Sequence, residues 1–250
     1  MSRLEALRGD AAVLARLLRG MPRGESHAQS LAAFYGPQSD QYDRFRERLL
    51  AGRAELIGSL PLPEQAHVVE LGGGTGRNAE FFGPTLARIA RIDVVDLCAP
   101  LLVRARERAQ RIPQLRAVEA DATTWQPDRA VDAVILSYAL TMIPDWRAAI
   151  DNAVAMLKPG GVLGVVDFYV SQARPQDATA VRHGLATRRF WPAWFAHDGV
   201  HLNPDHLPYL RTRLPQNDVV EARAPVPYLP LVRVPYYRFV GVKSAPALSA

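Results

Sequence analysis

His67-Val68-Val69-Glu70-Leu71-Gly72-Gly73-Gly74-Thr75-Gly76-Arg77-Asn78 is the stretch that decides the fold. The apolar run over 67–71 reads as a buried strand, and the amphipathic stretch from Asn78 reads as a helix. Between them stand glycines at 72, 73, 74 and 76. Glycines let a backbone turn tightly and approach a ligand closely. The first turn of a helix behind them offers unpaired N–H groups to an anionic or polar ligand. No Lys-Ser or Lys-Thr follows the glycines, which argues against a P-loop. Glu70 precedes the first glycine by two residues, where a dinucleotide-binding fold seldom has an acid.

Outward from this loop the chain alternates strand and helix patterns. A helix is expected over 78–87, a strand over 92–97 and a helix over 100–111, with Pro100 tolerated in the first turn. Strands follow at 117–120 and 131–137, then a helix at 146–157 stopped by Lys158-Pro159-Gly160-Gly161, then a strand at 162–168. Such alternation requires a parallel sheet with helices on both faces. Ligands of such sheets bind beyond the carboxyl ends of the strands. That edge collects Glu70, Asp96, Asp121, Ser137, Tyr138, Asp167 and Tyr169. An acid at 96, ending the second strand, suits a ribose diol.

The pattern Glu-x-Gly-x-Gly-x-Gly at 70–76 resembles motif I of class I S-adenosylmethionine-dependent methyltransferases. Glu119-Ala120-Asp121-Ala122 resembles the family's adenine-contacting acid, and Lys158-Pro159-Gly160-Gly161 resembles a further hallmark. The resemblance implies a Rossmann-like, seven-stranded α/β sheet with its last strand antiparallel. It also implies S-adenosyl-L-methionine as cofactor, held by Glu70, Gly72, Gly74, Gly76, Asn78, Asp96, Asp121, Ala122 and Ser137.

Composition bounds the remaining classes. The chain has 250 residues, a formal charge of +5 and a single cysteine, Cys98, so no internal disulfide forms. Its pI is about 9.6, and its only lysines are Lys158 and Lys243. A basic protein often meets polyanionic partners, although arginine richness also follows genome composition. No run is long and apolar enough to span a bilayer, and no signal-peptide core opens the chain. Cytoplasmic residence with peripheral membrane contact is the expectation.

Residues 2–21 read as an amphipathic helix with Leu4, Leu7, Ala11, Leu14, Leu18 and Met21 on one stripe and arginines mostly off it. Packing on the domain and lying in a lipid interface are both open to it. Residues 1–60 are taken as a helical lid and membrane-contact segment, and 61–250 as the methyltransferase domain. Tyr35 and Tyr42 in the lid are candidates for the active site, against simple packing of their rings. A cap insertion over 171–217 carries Arg188-Arg189-Phe190-Trp191-Pro192-Ala193-Trp194-Phe195 and a His/Asp-rich stretch from His197 to His206. The latter has neither the helical His spacing nor the cysteines of common zinc sites, so no metal is expected.

The cap motifs, with Tyr228-Leu229-Pro230 and Pro235-Tyr236-Tyr237, resemble the N-methyltransferase of betaine-lipid synthesis. That resemblance implies methylation of diacylglyceryl-homoserine to diacylglyceryl-trimethylhomoserine at an anionic phospholipid surface. An aminocarboxypropyl transferase of the same pathway would stand upstream. Candidate acid–base residues are Tyr138, His201 and Asp198. Trp191, Trp194, Tyr228 and Tyr236, with Tyr35 and Tyr42, are candidates for an aromatic cage around a cationic nitrogen. Arg233 and Arg238 are candidates for the carboxylate. Phosphatidylethanolamine and small-molecule methylation are the alternatives. A nucleic-acid methyltransferase is disfavoured because the fourth strand ends in Ser137-Tyr138-Ala139-Leu140 rather than Asn-Pro-Pro-aromatic. A non-catalytic S-adenosylmethionine-binding protein is disfavoured by the intact acids.

Overall fold

A computed structural model describes residues 26–35, 49–175, 180–196, 199–226 and 229–245. The expected helix 2–21, Tyr42, Asp198 and Tyr228 lie outside them. The helices are α1 (His27–Tyr35), α2 (Arg53–Ser59), α3 (Ala99–Ala109), α4 (Trp146–Met156), α5 (Leu185–Ala196) and α6 (His206–Arg213). The strands are β1 (Ala66–Leu71), β2 (Ile89–Asp96), β3 (Leu115–Glu119), β4 (Val131–Ser137), β5 (Leu157–Phe168), β6 (Asn217–Val226) and β7 (Leu229–Val242). They form one seven-stranded sheet in the order β3-β2-β1-β4-β5-β7-β6. β7 runs antiparallel to both its neighbours, and β1 to β5 are mutually parallel.

All six residues of β1 are buried, as a central strand covered on both faces must be. On one face α2 inserts Leu56 and Ile57 beside Val68, Ile92 and Val166. α2 lies within the stretch read as a lid, yet its apolar side chains belong to the main core. On the other face α4 lays Ala149, Ile150 and Ala153 against Val69, Val134 and Leu163.

Two local expectations are corrected. The helix after the glycine loop is a kinked 3-10 segment, Arg77–Arg88, because Gly83 (φ 51°) and Pro84 interrupt it. Lys158-Pro159-Gly160-Gly161 does not precede β5 but lies inside it, at a register shift against β4. Lys243 closes this corner. Its Nζ donates to the carbonyls of Val154 and Leu157 at 2.8 and 2.7 Å, at the end of α4. Its backbone exchanges hydrogen bonds with Gly160 and Gly161.

Gly164 on β5 lets α2 approach the sheet. A Cβ there would stand 2.9 Å from Leu60 Cδ2 and 3.5 Å from Leu56 Cδ1. Gly164→Val should therefore lower stability by about 1–3 kcal/mol through overpacking, read as a lower urea midpoint with an unchanged slope.

Candidate functional site

Four loops leave the carboxyl ends of β1, β2, β3 and β4 and enclose a cleft of about 260 Å³. Gly72 and Gly74 line it, with Asp96 to Cys98 from the end of β2, Ala120 to Thr123 after β3, and Tyr138, Ala139 and Met142 to Asp145 after β4. Leu31 of α1 and Leu101 of α3 complete the wall. The volume lies near the lower end of small-molecule sites.

A polar side chain from elsewhere holds each loop. Gly74 N donates to Asp96 Oδ2 at 2.8 Å, and Cys98 N donates to Asp96 Oδ1 at 2.7 Å. One carboxylate thus fixes the glycine loop against the end of β2. Arg108 of α3 donates to the Thr75 carbonyl and pairs with Glu80 at 2.7 Å. Asn152 of α4 donates from Nδ2 to the carbonyls of Ala122 and Trp125, both at 2.9 Å. Asp167, fully buried at the end of β5, accepts from Thr141 N at 3.1 Å and Thr141 Oγ1 at 2.8 Å. Burial raises its pKa to about 7 against the lowering effect of those bonds.

The glycine loop has the conformation its sequence implies. Gly72, Gly74 and Gly76 have φ of 68°, 55° and 67°, values that side-chain-bearing residues rarely adopt. A Cβ at Gly72 would come 2.7 Å from the Ala139 Cβ, so the β1 and β4 loops meet only because that side chain is missing.

The structure divides the expected cofactor residues into two groups. Gly72, Gly74, Asp96, Asp121 and Ala122 face the cleft. Glu70, Gly76, Asn78 and Ser137 are not among the residues lining it. Glu70 is 3% exposed and accepts from Asn78 Nδ2 at 2.6 Å, while Arg53 donates to Asn78 Oδ1 at 3.3 Å. Burial raises Glu70 to about 7, opposed by the Asn78 hydrogen bond and then by the Arg53 charge. This chain of side chains braces the loop from behind. Arg53 was missed in the sequence because nothing in its spacing points to Asn78. Asp145, Met142 and Ile143 were also missed, although the apolar run after Tyr138 was the available signal.

The other candidates are spread more widely. Tyr138 lines the cleft with φ 54°, its hydroxyl donating to the Ala51 carbonyl at 2.6 Å and its ring 4.6 Å from Phe168. Phe168 stacks on Phe195 at 4.9 Å, and Phe195 on Trp191 at 5.7 Å. Trp191 is therefore a core residue of this aromatic column, whereas Trp194 on the same helix is 46% exposed. His201 has an exposed side chain outside the cleft lining and donates its backbone N–H to the Thr141 carbonyl at 2.7 Å. Arg233 is exposed on β7. Tyr236 and Arg238 lie on one face of β7 beside Gly52, where a Cβ would come 2.6 Å from Tyr236 Cε2 and 3.2 Å from Arg238 Cδ. The backbone of Tyr35 ends α1. None of the described cage candidates Trp191, Trp194 and Tyr236, nor the carboxylate candidates Arg233 and Arg238, is among the residues lining the cleft.

Residues 68–161 match the family model described as a methyltransferase domain. Among curated sequences, the chain is 36% identical over 125 residues to a trans-aconitate 2-methyltransferase of Variovorax paradoxus. That alignment covers 50% of this chain and 47% of the relative, so the match spans about half the length of each. Among solved structures, the Haemonchus contortus phosphoethanolamine N-methyltransferase 2 in complex with S-adenosyl-L-methionine superposes with a TM-score of 0.67 at 13% identity. It covers 89% of this chain and 61% of that one. The Burkholderia thailandensis 1,6-didemethyltoxoflavin-N1-methyltransferase gives 0.57 at 19% identity, covering 90% and 92%. The fold is that of class I S-adenosylmethionine-dependent methyltransferases, and the family match over 68–161 covers β1 to β4 and the start of β5. The curated relatives carry the trans-aconitate name, not that of the betaine-lipid enzyme that the tail resembles. The cleft suits the cofactor of this class: glycine backbone at the loop, two carboxylates at the ends of β2 and β3, and no Arg, Lys or His among the described lining residues.

Two outcomes follow from this geometry. Gly74→Val places a branched side chain at positive φ, 3.4 Å from Leu101 Cδ1 and 3.9 Å from Asp96 Oδ2, and calorimetry should show S-adenosylmethionine affinity reduced at least ~10-fold. Glu70 binds its proton more tightly folded than unfolded, so its contribution is fully present below about pH 4 and lost as pH rises through about 7. Glu70→Gln should flatten the fall in stability over that window, a difference of up to about 3 kcal/mol, read by urea denaturation at several pH values.

Proposed function

We propose that this class I methyltransferase domain passes the methyl group of S-adenosylmethionine to an amine nitrogen of a small acceptor that enters at the Tyr138 end of the cleft. The observation carrying the reading is the charge of the lining: Asp96, Asp121 and Asp145, with no cationic side chain among its described residues. A carboxylate brought ~5 Å from one of these acids meets about 3 kcal/mol of repulsion at an effective dielectric of ~20. A polycarboxylate acceptor would meet it repeatedly, whereas an amine is attracted. Two solved structures of the same fold also carry N-methyltransferase names.

When bound, the cofactor supplies a methyl group already activated on a sulfonium sulfur. The residues of this chain then orient and shield. Asp96 fixes the glycine loop, and Asp121, which accepts from Thr123 N and Oγ1 at 2.8 and 2.7 Å, presents a second acceptor across the cleft. Tyr138, 3% exposed, is held by the Ala51 carbonyl and packed on Phe168, so it fixes the wall at the acceptor end and only ring edge reaches a ligand there. Proton removal from the amine falls to solvent or to Asp145, a cleft carboxylate at the Tyr138 end.

A second reading has an observation of its own. Diacylglyceryl-homoserine or phosphatidylethanolamine as acceptor is favoured by the apolar, arginine-flanked surface that α5 presents beside the Tyr138 column. In either case no described helix is long and apolar enough to cross a membrane.

Labelled S-adenosylmethionine offered with small primary amines, both lipids and trans-aconitate tests these readings. An amine with pKa about 10 is reactive only when neutral, so kcat/KM should rise roughly tenfold per pH unit between pH 6 and 8. Turnover of trans-aconitate alone, with a flat profile, overturns the amine reading. A trimethylated homoserine lipid as the preferred product selects the lipid reading.

A further inference from the structure

Four of the six large apolar side chains left exposed among the described residues lie between 181 and 194: Val181, Leu185, Phe190 and Trp194. The last three belong to α5. Positions 185, 186, 189, 190, 193 and 194 are all exposed, and helical spacing puts them on one side of the helix. Leu185 is 60% exposed, and Phe190 and Trp194 are each 46% exposed with ring centroids 5.6 Å apart. The opposite side buries Trp191 and Phe195. α5 is therefore seated on the domain by one apolar face and carries a second that nothing described covers.

The character of that face selects an occupant. Between Asp177 and Asp198 the chain has Arg182, Arg188 and Arg189 and no acidic residue. Arg182 and Arg189 are exposed, and Arg188 is half-buried. Besides these arginines, the Trp194 indole and the half-buried Thr187, the exposed side of α5 carries Leu185, Ala186, Phe190, Ala193 and Ala196. A second copy of the chain meeting this surface about a twofold axis would bring the same arginines together. The arginine-rich 2–21 segment has the same sign. A surface of phosphates over hydrocarbon satisfies both features, since leucine and aromatic rings enter the headgroup–acyl boundary while arginines pair with anionic headgroups.

We propose that the exposed face of α5 docks the protein on an anionic lipid bilayer. The docked face is coupled to the cleft. Phe195, on the buried side of α5, stacks on Phe168, and Phe168 packs against Tyr138 in the cleft wall. Docking sets the acceptor end of the cleft two ring contacts from the lipid surface. The surface does not rest on the acceptor being a lipid, because a soluble amine can be methylated by a membrane-bound enzyme.

The test is flotation of the full chain with phosphatidylcholine vesicles, with and without phosphatidylserine. The native chain should float with the serine lipid and not without it. Leu185→Ser/Phe190→Ser should lower vesicle affinity roughly tenfold or more, with thermal midpoint and S-adenosylmethionine affinity unchanged. Arg189→Glu should weaken binding further at low salt than at high salt. The loss caused by the double substitution should persist in a chain lacking residues 1–25. Failure of the native chain to float, or equal flotation of the double variant, overturns the proposal. A lipid-free dimer that the double substitution splits overturns it in favour of self-association. Vesicle binding without turnover of lipid amines leaves the surface standing and removes only the lipid acceptor. Lipid turnover without vesicle binding does the reverse.

Discussion

The hydrogen bonds from Gly74 and Cys98 to the Asp96 carboxylate are the constraint on which the site depends. The loop after β1 has little side-chain volume of its own to pack, so its shape must be imposed from outside. Asp96 does this from the front, and the Glu70–Asn78–Arg53 chain does it from behind. The same arrangement recurs around the cleft, where Asn152 holds the β3 exit and Asp167 holds the β4 exit. Each exit loop is a piece of backbone fixed by a polar side chain of another element. Buried polar groups cost stability unless they are paired, and here the pairing is the means of setting loop positions. Several neighbours serve the loops at a distance from the cleft, so their substitution would act through geometry and not through contact with a ligand.

Much of the core domain was legible because periodicity and glycine chemistry agree there. β1 and β4 are buried throughout or nearly so, and both appear in the sequence as short apolar runs bounded by turn signals. The expected 78–87 helix failed at Gly83-Pro84, a break written in the sequence but outweighed by the amphipathic pattern around it. Lys158-Pro159-Gly160-Gly161 reads locally as a stop, yet hydrogen bonds from Lys243, distant in sequence, carry the strand through it. Local pattern cannot report a partner that only the folded sheet supplies.

The site divides in the same way. Gly72, Gly74, Asp96, Asp121 and Ala122 come together in one cleft lining, a placement legible in sequence because strand ends and glycine loops announce themselves. Glu70 is buried behind the loop on Asn78 and is not in the cleft lining, a placement hidden beforehand because an acid two residues before a glycine loop looks the same in sequence whether it faces the ligand or the core. Trp191 and Trp194 share one motif in the sequence, but the seating of α5 turns one inward and the other outward. The basic composition and the apolar, arginine-flanked side of α5 are separate features, and only the first is legible without the fold.

The sheet order also has a consequence for the birth of the molecule. β7 sits between β5 and β6, although it follows both in sequence. As the chain leaves the ribosome, β5 emerges with β4 to pair against on one side and nothing on the other. Its second edge stays open while the whole 171–217 insertion and β6 are made. An open hydrophobic edge is where nascent chains find wrong partners. β6 cannot shield it, because the strand that joins them has not been synthesised. When β7 appears it pairs with both at once, and Lys243 then secures it to the end of α4. The interval between β5 and β7 is thus when a chaperone would matter most to this protein, and a slow codon placed after β5 would lengthen it.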